Sequence, residues 1–78
     1  MPHIVIKTVK GPSPEQLRKA AEQISDIMVN TLGKPARCVS VSAEEYTIPE
    51  WEGVYNDFVK DKDNVVLAPE YTNPRTFE

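Results

Sequence analysis

Residue types that build staples and zinc sites are scarce in this 78-residue chain: one cysteine and one histidine. The single thiol, Cys38, forms no intrachain disulfide, and His3 with Cys38 gives no zinc-ligand spacing. No apolar run approaches the ~20 residues of a membrane-crossing helix, and the start lacks an apolar signal region. Basic residues are outnumbered, 9 Lys and Arg against 12 Asp and Glu, for a net charge of −3. With no basic block and no interleaved aromatics, a nucleic-acid partner is not expected. A free cysteine without an export signal points to a reducing cytoplasm. Length implies a single domain spanning residues 1–78. A chain this short buries only ~60% of the surface its unfolded form exposes. With neither disulfide nor metal to staple it, association with further copies of itself remains as the source of buried area.

What is present is regular. HIVIKTV, residues 3–9, is rich in β-branched residues and reads as a strand. Ile4 and Ile6 share one face, Val5, Lys7 and Val9 the other, so cover is expected on both sides. Ser13 then caps a helix, Pro14 takes its first position and Gln16 completes an S-x-x-Q capping box. Leu17, Ala20, Ala21, Ile24, Ile27, Met28, Thr31 and Leu32 fall on one helical stripe, and Gly33 with Pro35 stops it. RCVSVSAEE is a second strand, with Val39, Val41 and Ala43 alternating against Ser40, Ser42 and Glu44. Strand, helix, strand makes a βαβ unit with parallel strands and a right-handed crossover. TIPEWEGVYNDFV predicts a shorter helix, capped by Thr47 and Glu50, whose apolar face carries Trp51, Val54, Tyr55, Phe58 and Val59. A charged turn follows, then the apolar piece Val65 to Leu67. The proline-broken tail from about residue 68 is expected to be loose or draped on a neighbour.

Pro2 stands directly behind Met1. Aminopeptidases remove an initiator methionine that precedes a small residue, which would leave Pro2 with a free secondary amine. An α-amino group in water titrates at ~7.7–8. Burial in an apolar pocket disfavours the charged form and lowers that value. A neutral amine, held by its ring and the strand behind it, meets the requirements of a general base. It can take a proton from carbon beside a carbonyl and return it elsewhere, which is keto–enol tautomerisation. Position alone equally fits a proline that merely marks the processed end.

Pro2, the HIVIK strand, Gly11, the S-P-E-Q helix start, the helix end near Leu32 with Pro35 beyond, and the V-S-V-S strand resemble the 4-oxalocrotonate tautomerase family. The later PEW, short aromatic helix and P-E-Y are similar to its small bacterial subgroup with a C-terminal extension. The resemblance implies an α/β fold of the β-α-β tautomerase type completed by oligomerisation. It implies a homodimer, a small enol or 2-oxo acid as substrate, no cofactor, and Pro2 as catalytic base. It places Trp51 in the apolar wall of the site, where helix-core or interface packing is the ordinary alternative. Family members grip a dicarboxylate with arginines. Here those positions carry Pro12 and Ser40, and Arg37 lies ~10 Å along the strand from Ser40 on the opposite face. Without a bidentate cation, a phenylpyruvate-like monoacid or an uncharged enol is the expected substrate. The enolate then needs other donors: the Ser40 hydroxyl, a backbone N–H, or Tyr55. Ser40 also fits plain strand alternation, and Tyr55 plain helix packing. Lys7, Lys10, Lys34 and Arg75 read as solvated surface cations. His3 points to the face opposite Pro2 and reads as structural. Cys38 reads as a small buried hydrophobe. The adjacent acids Glu44 and Glu45 face opposite ways. A non-catalytic homodimer that binds a small ligand or a protein is the rival reading. Hydratase or dehalogenase chemistry, which the family also hosts, finds no matching residues.

Overall fold

The computed structural model describes residues 1–77 and divides into two compact units. One comprises Met1–Lys7 with Gly11–Glu44, the other Thr8–Lys10 with the chain from Glu45 onward.

The first unit holds the βαβ core apart from the last two residues of each strand, which belong to the second. Strand β1, His3–Val9, and strand β2, Ser40–Tyr46, are neighbours in a two-stranded parallel sheet. Side-chain bonds fix the register, setting His3 beside Ser40 and Lys7 beside Glu44. A one-residue slip would move every side chain to the other face. Between the strands runs helix α1, Pro14–Leu32. Its start follows the capping chemistry: Ser13 Oγ accepts the Gln16 N–H at 3.1 Å, and Gln16 Oε1 accepts the Ser13 N–H at 2.8 Å. At its end Gly33 adopts φ 67°, a left-handed geometry that suits a residue without Cβ. The Gly33 and Lys34 N–H groups close on the Val29 and Met28 carbonyls.

Helix α1 faces the sheet side carrying Ile6, Val41 and Ala43, on which Ala43 stays exposed. Those residues, with Leu17, Ala21 and Val39, line an open groove of about 420 Å³. The opposite face carries His3, Val5 and Lys7 beside Ser40, Ser42 and Glu44. Alternation predicts cover on both faces, yet here Val5 is 42% exposed. The second strand also begins later than the alternation suggests, because Ala36–Cys38 form a 3₁₀ turn first.

The second unit is built on helix α2, Ile48–Val54. Thr47 Oγ1 accepts the Glu50 N–H at 3.2 Å, and Glu50 Oε1 accepts the Thr47 N–H at 2.7 Å. The predicted helix does not run on regularly to Val59. Tyr55–Val59 form a π turn, closed by the Lys60 N–H on the Tyr55 carbonyl at 2.8 Å. The wider turn breaks the 3.6-residue phase. Val54 and Tyr55 are buried, whereas Phe58, on the expected apolar face, is 55% exposed. The apolar piece at Val66 and Leu67 is exposed. Further on, Pro74–Phe77 form a 3₁₀ turn packed against α2, with Pro74 buried. No helix among the described residues is long and apolar enough to cross a membrane.

Candidate active site

Pro2 is half-buried at the head of β1, and its carbonyl accepts the Ser40 N–H at 3.2 Å. That bond places Pro2 in the sheet ladder, one residue before the strand proper. Met1 in front of it is 94% exposed, so no packing protects the Met1–Pro2 bond. While Met1 is attached the Pro2 nitrogen is a peptide nitrogen and has no basic lone pair.

Ser40, the second residue of interest on this unit, is engaged through its side chain as well. Its Oγ lies 2.7 Å from His3 Nδ1, and Ser42 Oγ lies 3.2 Å from His3 Nε2. The exposed imidazole therefore bridges two serines spaced i, i+2 on one face of β2. Hydroxyls donate or accept as needed, so the bridge is compatible with either tautomer. Strand alternation puts this cluster on the face opposite Ile4, and the Pro2 ring on the face of Ile4. Alternation is enough to assign His3 its face; the bridge to Ser40 and Ser42 depends on strand register, which alternation leaves open.

Two of the cations are held in ion pairs. Lys7 Nζ donates to Glu44 Oε1 at 2.6 Å, and Arg75 Nε donates to Glu52 Oε2 at 2.8 Å. Pro12 is half-buried and Arg37 sits in the 3₁₀ turn before β2. Cys38, in the same turn, is half-buried. The groove beneath α1 is lined by neither Pro2 nor Ser40.

In the second unit the aromatic residues converge. Trp51 is half-buried, and its indole N–H donates to Tyr71 Oη at 2.8 Å. Tyr46 meets the Trp51 ring edge-on at 6.0 Å between centroids. Tyr55 is 8% exposed and lies 5.4 Å from the Tyr71 ring, which meets Phe77 edge-on at the same distance. Trp51 and Tyr55 are thus joined through Tyr71, a residue 20 positions beyond Trp51. The P-E-Y is visible in the sequence but assigns Tyr71 no role, since an isolated tyrosine in a proline-broken tail carries no periodic signal. Nearby, Glu50 is held below the usual carboxylate range. The Thr47 backbone N–H contributes most, then the Thr47 side chain, with Lys10 assisting and burial opposing.

Comparison with known proteins agrees with this architecture. The family model described as tautomerase enzyme matches residues 2–51, so it starts on Pro2 and ends on Trp51. A probable tautomerase of Xylella fastidiosa is 31% identical over 51 residues, covering 65% of this chain and 62% of that protein. The match thus spans less than two thirds of the Xylella protein's length. Among solved structures, TomN, a 4-oxalocrotonate tautomerase homologue in the tomaymycin biosynthetic pathway, superposes with a TM-score of 0.60 at 30% identity. That match covers 64% of this chain and 77% of TomN. DmpI from Helicobacter pylori gives 0.55 at 37% identity, over 59% of this chain and 73% of its own. A 4-oxalocrotonate tautomerase isozyme of Methylibium petroleiphilum gives 0.58 at 27%, over 62% and 75%. With most of its length matched from Pro2 onward, and with the same βαβ core, the chain belongs to the tautomerase enzyme family.

Proposed function

We propose that the chain is a cofactor-free tautomerase that interconverts the enol and keto forms of a small 2-oxo acid of phenylpyruvate type. Pro2 acts as the general base once Met1 is removed. Its amine takes the enol hydroxyl proton, the C=C electrons move to the carbon that becomes protonated, and the amine's ammonium returns a proton there. Trp51 supplies an apolar wall for the body of the substrate, and exclusion of water around the amine favours its neutral form. The developing oxyanion is met by a neutral donor rather than a cation, with the Ser40 hydroxyl and Tyr55 as the candidates from sequence. Tyr55 is buried and Ser40 Oγ contacts His3, so a donor role for either requires a local shift. The active form is a homodimer in the cytoplasm.

The observation that carries this reading is the position of Pro2: first in the family match, half-buried, anchored in the ladder through its carbonyl, and next to the exposed Met1. Ultraviolet assays of phenylenolpyruvate ketonisation test it. Chain with a verified Pro2 terminus should be active. Chain with Met1 retained, or with any N-terminal tag, should lose the ~10²–10⁴-fold contribution of a positioned base. Pro2→Ala, which leaves a primary amine of freer geometry, should lose most of the rate. Equal rates for processed and blocked chains would rule out the amine.

The second reading is a homodimer that keeps the fold but only binds a small ligand or a protein. Pro12 and Ser40 at the family's arginine positions favour it. Mass spectrometry of natively expressed chain separates the two, because retained Met1 leaves no base and supports the binder.

A further inference from the structure

The Trp51 indole has one polar atom, a donor, and it is already used on Tyr71. The Tyr71 phenol has one proton to give. Its oxygen accepts from the indole, and among the described residues its O–H has no acceptor. Tyr71 is half-buried, so a proton that its phenol does not donate within the chain is left for water or a ligand to accept. Accepting the indole proton also polarises the phenol and strengthens it as a donor.

The geometry fixes where that donor sits. The Tyr71 ring is held between Tyr55 and Phe77, each 5.4 Å away. The segment behind it is tied down by buried Pro74, by the Asn73 side chain accepting the Arg75 N–H at 3.0 Å, and by the Arg75–Glu52 pair. An oriented hydroxyl thus stands at the polar edge of an apolar indole.

We propose that Tyr71 is a substrate-binding residue that donates its phenol proton to a carboxylate or enolate oxygen of an aromatic monoacid lying on Trp51. This rests on the reading of Trp51 as the substrate wall. One neutral donor beside an aromatic face suits one carboxylate and one ring, and it gives a second carboxylate nothing. It also lies outside the matched residues 2–51, in the extension that distinguishes this chain from the family model.

Trp51 is the lone tryptophan, so its fluorescence reads the site without turnover. The probes are 3-phenylpropionate, an unreactive aromatic monoacid, and its neutral amide. In processed wild-type chain the acid should bind more tightly than the amide. A hydrogen bond to a charged group is worth ~1.5–3 kcal/mol, so Tyr71→Phe should weaken acid binding roughly 10- to 100-fold. Amide binding should fall much less. Wild-type chain that binds neither probe, or binds both equally, overturns the proposal without any variant. So does a Tyr71→Phe chain that melts earlier but binds the acid as wild type does, because Tyr71 is then only a tail fastening. Tight acid binding with no enol turnover would sink the tautomerase reading and leave Tyr71 standing. Turnover with unchanged acid affinity in Tyr71→Phe would do the reverse.

Discussion

Glu50 and Thr47 share a reciprocal pair of bonds, and the carboxylate member titrates. Its charged form is the one that accepts the Thr47 N–H, so its folded pKa lies below the ordinary glutamate value of 4.5. The unfolded chain therefore binds this proton first as pH falls, and stability falls with it. The contribution is complete above the unfolded value and fades as pH drops through the folded one. Thermal melts of wild type and Glu50→Gln should differ most near about pH 6 and converge towards about pH 3. A gap that is constant with pH would mean the glutamate acts only by its shape. Capping residues of this kind are legible in sequence because both partners lie within one turn of each other. The role proposed for Pro2 rests likewise on a local feature, its position next to Met1. Ser40 and Tyr71 are not legible in this way: the first meets His3 across 37 residues and the second meets Trp51 across 20. No local pattern announces either contact.

At the scale of elements, the same distinction separates α1 from the stretch beyond Val54. Ser13, Pro14, Gln16 and Gly33 determine α1 at both ends, and the structure places them in the roles their chemistry predicts. Gly33→Ala isolates the C-terminal device. A Cβ there would meet no atom within 4 Å, so the cost is purely that of a left-handed alanine. That cost is about 1–2 kcal/mol, which in a domain this small corresponds to a fall in Tm of roughly 4–16 °C. An unchanged melting temperature would show that the helix end relaxes to another geometry. The π turn at Tyr55–Val59 gives no comparable signal. Its residues keep helical spacing on paper, and the wider turn opens at Tyr55, which packs against Tyr71 far along the chain. The tail follows suit: its composition suggests a loose or draped segment, while Tyr71, Pro74 and Arg75 fasten it to α2 within the chain itself.

At the scale of the molecule, burial is thin. Among the described residues the buried hydrophobics are Val54 and Tyr55, and no residue of α1 is buried. Isolated domains of this length are marginal even with an ordinary core. The open sheet face, where Val5 lies among polar neighbours and the His3 bridge, is the surface a second copy would cover in the homodimer proposed above. Self-complementary pairing about a two-fold axis lets one patch serve both partners, and a stable interface needs about 800 Å² from each. Val5→Asp tests the surface directly. A carboxylate at the centre of such an interface, with no cation released to meet it since Lys7 is already bonded to Glu44, costs several kcal/mol. Wild-type chain should sediment as a dimer or larger at micromolar concentration. The variant should shift towards monomer and melt earlier at equal concentration, and the gap should narrow on dilution as wild type also dissociates. If wild type sediments as a monomer and its melting temperature ignores dilution, the few buried residues suffice by themselves, and the open face needs no partner.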